Sequence, residues 1–122
     1  TLKVGVSTDA AAQYGPVVSE AHKDKIAGYI QMGVDEGAEL VVDGRGFSLQ
    51  GYEKGFFIGP SLFDGVKKGM KTYNEEIFGP VLQIVRAETF EEALDLPGVT
   101  KAGQRPHGFV SKARHAEDDG VV

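Results

Sequence analysis

Side chains that favour burial return at three- and four-residue steps through His22, Ile26, Tyr29, Ile30, Gly33 and Val34, the spacing of one face of an amphipathic helix. Lys23, Asp24, Gln31 and Asp35 fall mostly off that face. Ser19 is suited to cap the start and Glu20 adds favourable charge to the first turn. Pro16 cannot sit inside the helix, which therefore begins after it, and Gly37 suits the left-handed residue that stops it. The pattern predicts a helix over 19–36. Before it, residues 2–6 read as a short strand or extended lead-in, followed by a polar, alanine-rich loop.

After the helix, Leu40-Val41-Val42 comes so soon that it reads as a strand packed beside it. Asp43-Gly44-Arg45-Gly46 breaks that strand and Gln50-Gly51-Tyr52-Glu53-Lys54-Gly55 makes a surface excursion. Phe56-Phe57-Ile58 restarts an extended segment that reaches Leu62-Phe63. Pro60 puts this segment at a sheet edge or breaks it, because proline donates nothing to a ladder. Residues 66–73 read as a loop or one short helical turn. Val81-Leu82-Gln83-Ile84-Val85 is apolar on both faces apart from Gln83, which suits a central strand covered on two sides. Thr89 is placed to cap a helix beginning Phe90-Glu91-Glu92-Ala93-Leu94, which Pro97-Gly98 would end. Helices alternating with strands indicate an α/β fold with a small mixed or partly parallel sheet and flanking helices. The tail from Val99 changes character. It carries Gly103, Pro106, Gly108 and the acidic run Glu117-Asp118-Asp119, with Phe109-Val110 as its only strand signal. It reads as a loosely packed terminus.

Composition narrows the function. The chain has 122 residues, enough for one domain, which buries roughly two-thirds of its unfolded surface. Net charge is −5, from 13 basic and 18 acidic residues, which argues against nucleic acid as a partner. No stretch approaches the roughly 20 apolar residues of a membrane span. The first residues are too few and too polar for a secretory signal. There is no cysteine, so disulfides, thiolate metal sites and a cysteine nucleophile are excluded. A cytoplasmic location fits that composition. His22, His107 and His115 lack metal-ligand spacing, so no metal site is expected. Gly44-Arg45-Gly46 lacks the third glycine and the succeeding helix of a dinucleotide loop and reads as a turn. Lys67, Lys68 and Lys71 read as a solvated basic cluster.

The run Glu75-Glu76-Ile77-Phe78-Gly79-Pro80-Val81 carries the candidate chemistry, because it places two acids and an aromatic on a turn feeding an apolar strand. Loops held against rigid strand ends are where folds display residues to ligands. Taken locally, Glu76 reads as a solvated turn acid and Phe78 as a core anchor. In order along the chain, Gly15-Pro16-Val17-Val18, Glu36-Gly37-Ala38 and the Glu75–Val81 run resemble the aldehyde dehydrogenases. Val42-Asp43-Gly44-Arg45-Gly46, Gln50-Gly51-Tyr52-Glu53, Gly55-Phe56-Phe57 and Met70-Lys71-Thr72-Tyr73 are similar to the methylmalonate-semialdehyde branch of that family. Several motifs in one order are more specific than any alone.

The resemblance covers residues 1–96 and leaves 97–122 as a divergent tail. It implies a partial aldehyde dehydrogenase catalytic domain downstream of the nucleophile. The family oxidises an aldehyde through a cysteine-bound thiohemiacetal and thioester with NAD as hydride acceptor, and in this branch coenzyme A resolves the thioester. The resemblance places cofactor contacts on Glu76, accepting from a ribose hydroxyl pair on the nicotinamide side, and on Phe78, packing against the nicotinamide end. It assigns no catalytic residue to this chain. Lacking the nucleophile and the dinucleotide-binding domain, the chain alone is expected to be inactive and to bind no cofactor tightly. The rival reading is a non-enzymatic module, derived from that fold, that self-associates or binds a partner through exposed apolar surface.

Overall fold

The computed structural model describes residues 2–96. They fall in two units, 2–85 and 86–96.

In the first unit, helix α1 spans Glu20–Asp35. Its start is set by Ser19, whose hydroxyl accepts from the His22 amide at 3.2 Å, satisfying one of the donors a helix start leaves unpaired. Gly37, at φ 91°, turns the chain out of the helix, a conformation that costs residues with a Cβ more. Of the periodic face, Ile26, Ile30 and Gly33 are buried.

Strands β1 (Glu39–Val42), β2 (Ser61–Asp64) and β3 (Val81–Gln83) form one mixed sheet in that order. β1 runs antiparallel to β2 with Leu40 opposite Phe63, and the register shifts between Leu40 and Val42. β2 runs parallel to β3 with Leu62 opposite Leu82. The connection from β2 to β3 carries the single-turn helix α2, Lys71–Asn74, where the sequence offers a loop or one helical turn. Glu36 ties the two helices together. It ends α1, and its carboxylate accepts from the Lys71 amide at 2.8 and 3.0 Å. The core gathers Ile26, Ile30, Ala38, Ile58, Phe63 and Val66, with Ile77, Val81 and Val85 packed against it.

One expectation is corrected. Among the described residues the central strand is β2, and β3 lies at the edge of the sheet. Pro60 stands immediately before β2 rather than within it, so its missing N–H removes no bond from the ladder. Leu82 on β3 is 65% exposed. An apolar run thus records that both faces favour cover, not that this segment is covered on both. Of the two readings of residues 2–6 the lead-in holds, with a single parallel bridge from Val4 to Tyr14. The segment that they meet ends two residues later at Pro16, leaving little backbone to extend the pairing.

Gly44-Arg45-Gly46 is a turn, as expected. Gly44 packs on the Gly59 backbone with no room for a Cβ, and its carbonyl accepts from the Gly59 amide at 2.8 Å.

In the second unit, helix α3 spans Phe90–Leu94, with the Thr89 hydroxyl accepting from the Glu92 amide at 3.1 Å. The stop at Pro97-Gly98, the Phe109-Val110 strand signal and the tail 97–122 lie outside the described residues. Among the described residues, no helix is long and apolar enough to cross a membrane.

Candidate functional site

The chain leaves α2 at Glu75 in an extended conformation, φ −107° and ψ 138°. It then turns tightly: the Gly79 amide donates to the Ile77 carbonyl at 2.9 Å and the Val81 amide to the Gly79 carbonyl at 2.8 Å. β3 begins at Val81. Within this turn Ile77 packs against the core, while Glu75, Glu76 and Phe78 face outward.

One stripe of α1 holds the turn. His22, Ile26 and Tyr29 stand four and then three residues apart, so they share a face of the helix. His22 donates through Nε2 to the Phe78 carbonyl at 2.6 Å. The Tyr29 hydroxyl donates to Glu75 Oε2 at 2.5 Å. Between them Gly79 lies so close to Ile26 that a Cβ there would stand 2.6 Å from Ile26 Cδ1. Glycine is required for the turn to rest on the helix. Within α1, Lys25 Nζ stands 5.9 Å from the centre of the Tyr29 ring, within the range of a cation–π interaction.

Together His22, Lys25, Ile26, Tyr29, Glu76, Ile77 and Phe78 line a small open depression. Both residues singled out from the sequence stand on its wall. The Phe78 ring is 69% exposed, so the core-anchor role that a local reading gives it belongs to Ile77. The Glu76 carboxylate is exposed and has no hydrogen-bond partner among the described residues. A carboxylate in that state offers acceptors and no donor, which suits a vicinal diol. An exposed aromatic face beside it suits a flat heterocycle. The turn thus displays two acceptor oxygens beside an exposed aromatic ring.

The phenol of Tyr29 is held above the ordinary tyrosine range, chiefly by its hydrogen bond to Glu75, then by desolvation and by the nearby negative charge. It stays protonated and serves as a fixed donor. Elsewhere the Arg45 guanidinium beside Asp43 holds that carboxyl below its usual range, through a 2.6 Å ion pair remote in sequence from the turn. No cluster of metal-ligating side chains occurs among the described residues.

The sequence alone does not mark His22, Lys25 and Tyr29 as parts of this site, and it gives Glu75 no partner. It presents His22 as a packing residue beside the buried face. The i, i+4, i+7 stripe is the one available signal, and nothing local says that a turn 56 residues away rests on it.

The pattern of the aldehyde dehydrogenase family matches residues 1–116. The malonate-semialdehyde dehydrogenase of Pseudomonas aeruginosa is 54% identical over 95 residues, which cover 78% of this chain and 19% of that protein. An Arabidopsis thaliana mitochondrial protein named methylmalonate-semialdehyde dehydrogenase [acylating] is 44% identical, over 94% of this chain and 19% of its own length. Among solved structures, a Sinorhizobium meliloti protein assigned as a methylmalonate-semialdehyde dehydrogenase, in complex with NAD, superposes with a TM-score of 0.78. It is 53% identical, with 80% of this chain and 20% of that one covered. This chain spans about a fifth of the length of these relatives. It belongs to the aldehyde dehydrogenase family.

Proposed function

We propose that this chain forms the ribose-holding part of the catalytic domain of an NAD-dependent, coenzyme A-acylating malonate- or methylmalonate-semialdehyde dehydrogenase. The observation that carries the reading is the Glu76 carboxylate, exposed and unpaired on a turn that is itself fastened to α1 at both ends. The names of the relatives support the substrate class and the acylating chemistry. NAD, when bound, supplies the hydride acceptor. The residues of this chain orient it. Glu76 accepts from the two ribose hydroxyls of the nicotinamide side. Phe78 limits the swing of the nicotinamide end. Such positioning speeds a reaction by orientation, not by bond-making.

The chain has no thiol to attack an aldehyde and one edge of a cofactor cleft rather than a whole one. We therefore expect no turnover from it alone and only weak NAD binding. The test is NADH formation by the purified chain with malonate semialdehyde, NAD and coenzyme A, where appreciable turnover would overturn the proposal. Cytoplasmic placement, in keeping with the cysteine-free composition, belongs to the same proposal. A second reading, a module that associates with copies of itself, is favoured by the exposed Phe78 and Leu82 side chains.

A further inference from the structure

The Glu76 carboxylate has no bond of its own to hold it among the described residues, so its place depends on the backbone on either side. On the far side that backbone is fixed by His22 at the Phe78 carbonyl and by the close seat of Gly79 on Ile26. On the near side Glu75 is the end of α2, a helix of four residues with no side chain capping its start from within. The Glu36 carboxylate holds the start of α2 from outside, and the Glu75 amide donates to the Lys71 carbonyl at 2.8 Å. What fixes the Glu75 side chain is the Tyr29 hydroxyl, 2.5 Å from Oε2, a hydrogen bond to a carboxylate. Lys25, over the same ring, keeps a positive charge beside the pair.

We infer that Tyr29 and Glu75 act as a positioning pair, pinning the chain one residue before Glu76 so that its carboxylate is presented in a single direction to a vicinal diol. The pair touches neither substrate nor reacting atoms. The inference deepens the ribose-holding reading and rests on it. It also gives the two neighbouring acids different work. The Glu75 carboxylate is taken up by the Tyr29 hydroxyl, while Glu76 is left free for a ligand.

The test uses amide hydrogen exchange on the full 122-residue chain. Tyr29→Phe removes the donor and keeps the ring. The amides of Glu75 and Gly79, bonded to the Lys71 and Ile77 carbonyls, should then exchange about three- to tenfold faster, while those of Ile30 and Phe63 in the core stay unchanged. Glu75→Gln keeps a neutral acceptor and should loosen the turn less than Glu75→Ala does. Unchanged exchange at the turn in Tyr29→Phe overturns the inference, and so does faster exchange spread evenly through the core. The link to the cofactor is read as KM for NAD against kcat in a full-length dehydrogenase carrying this segment. Tyr29→Phe should raise KM several-fold and leave kcat nearly as it was. If Glu76→Gln weakens NAD and Tyr29→Phe alters neither exchange nor KM, the pair has no positioning role and the ribose reading stands. If Tyr29→Phe frees the turn but Glu76→Gln leaves NAD binding intact, the pair stands and the ribose reading fails.

Discussion

Three side chains show how differently a single residue can matter. Ile30 is completely buried in the core. Ile30→Ala should cost about 2–5 kcal/mol, through lost contacts and an unfilled cavity, measured by denaturant unfolding. Glu76 is exposed. In a complete enzyme, Glu76→Gln should lower kcat/KM about ten- to a hundredfold, the effect of one charged acceptor, without moving the melting temperature. If it unfolds the protein and spares the kinetics, the acid is structural. Tyr29 gives a pH signature. Its phenol ionises above the ordinary value because Glu75 favours the protonated form. The bond's contribution is therefore intact below the unfolded tyrosine value of about 10 and is lost as pH rises through the higher folded value. An ultraviolet titration should show one tyrosine step falling back toward the ordinary range in Glu75→Gln, and coincident curves would count against the bond. At this scale the sequence names Glu76 and Phe78 because ordered motifs surround them. It cannot name Tyr29 as their neighbour's anchor. A hydrogen bond across 46 positions leaves no local pattern.

Elements are legible where local chemistry sets their ends. A capping serine, a 3.6-residue period and a left-handed glycine bound α1 within a residue at each end. The Thr89 cap locates α3 in the same way. The order of strands in the sheet is not legible, because it depends on partners rather than on composition. Among the described residues β2 is central although a proline touches its start, and β3 is at the edge although it is the more apolar-looking run. The seat of the turn on α1 is likewise a property of two elements together. Gly79→Ala should show it, since the added methyl meets Ile26. The expected cost is about 1–3 kcal/mol from overpacking, accompanied by shifted amide resonances for residues 76–80. A stability equal to that of the parent chain would mean that the turn does not rest on the helix.

For the molecule as a whole, composition excludes more than it identifies, and the family is legible only because several motifs keep one order. Two of the apolar side chains left in solvent, Leu82 and Phe78, lie on β3 and on the turn that leads into it. Light scattering should therefore report concentration-dependent association of the chain, relieved in longer versions that include more of the enzyme. A clean monomer at every concentration would speak for an independent module instead. Glu36 carries a different implication. One carboxylate closes the end of the long helix and receives the first amide of the short one, so neither end can fray without releasing the other. Glu36→Ala should convert the basic stretch at Lys67, Lys68 and Lys71 into the first place that trypsin cuts. The strap that leads to the Glu76 turn would then be severed before the core is touched.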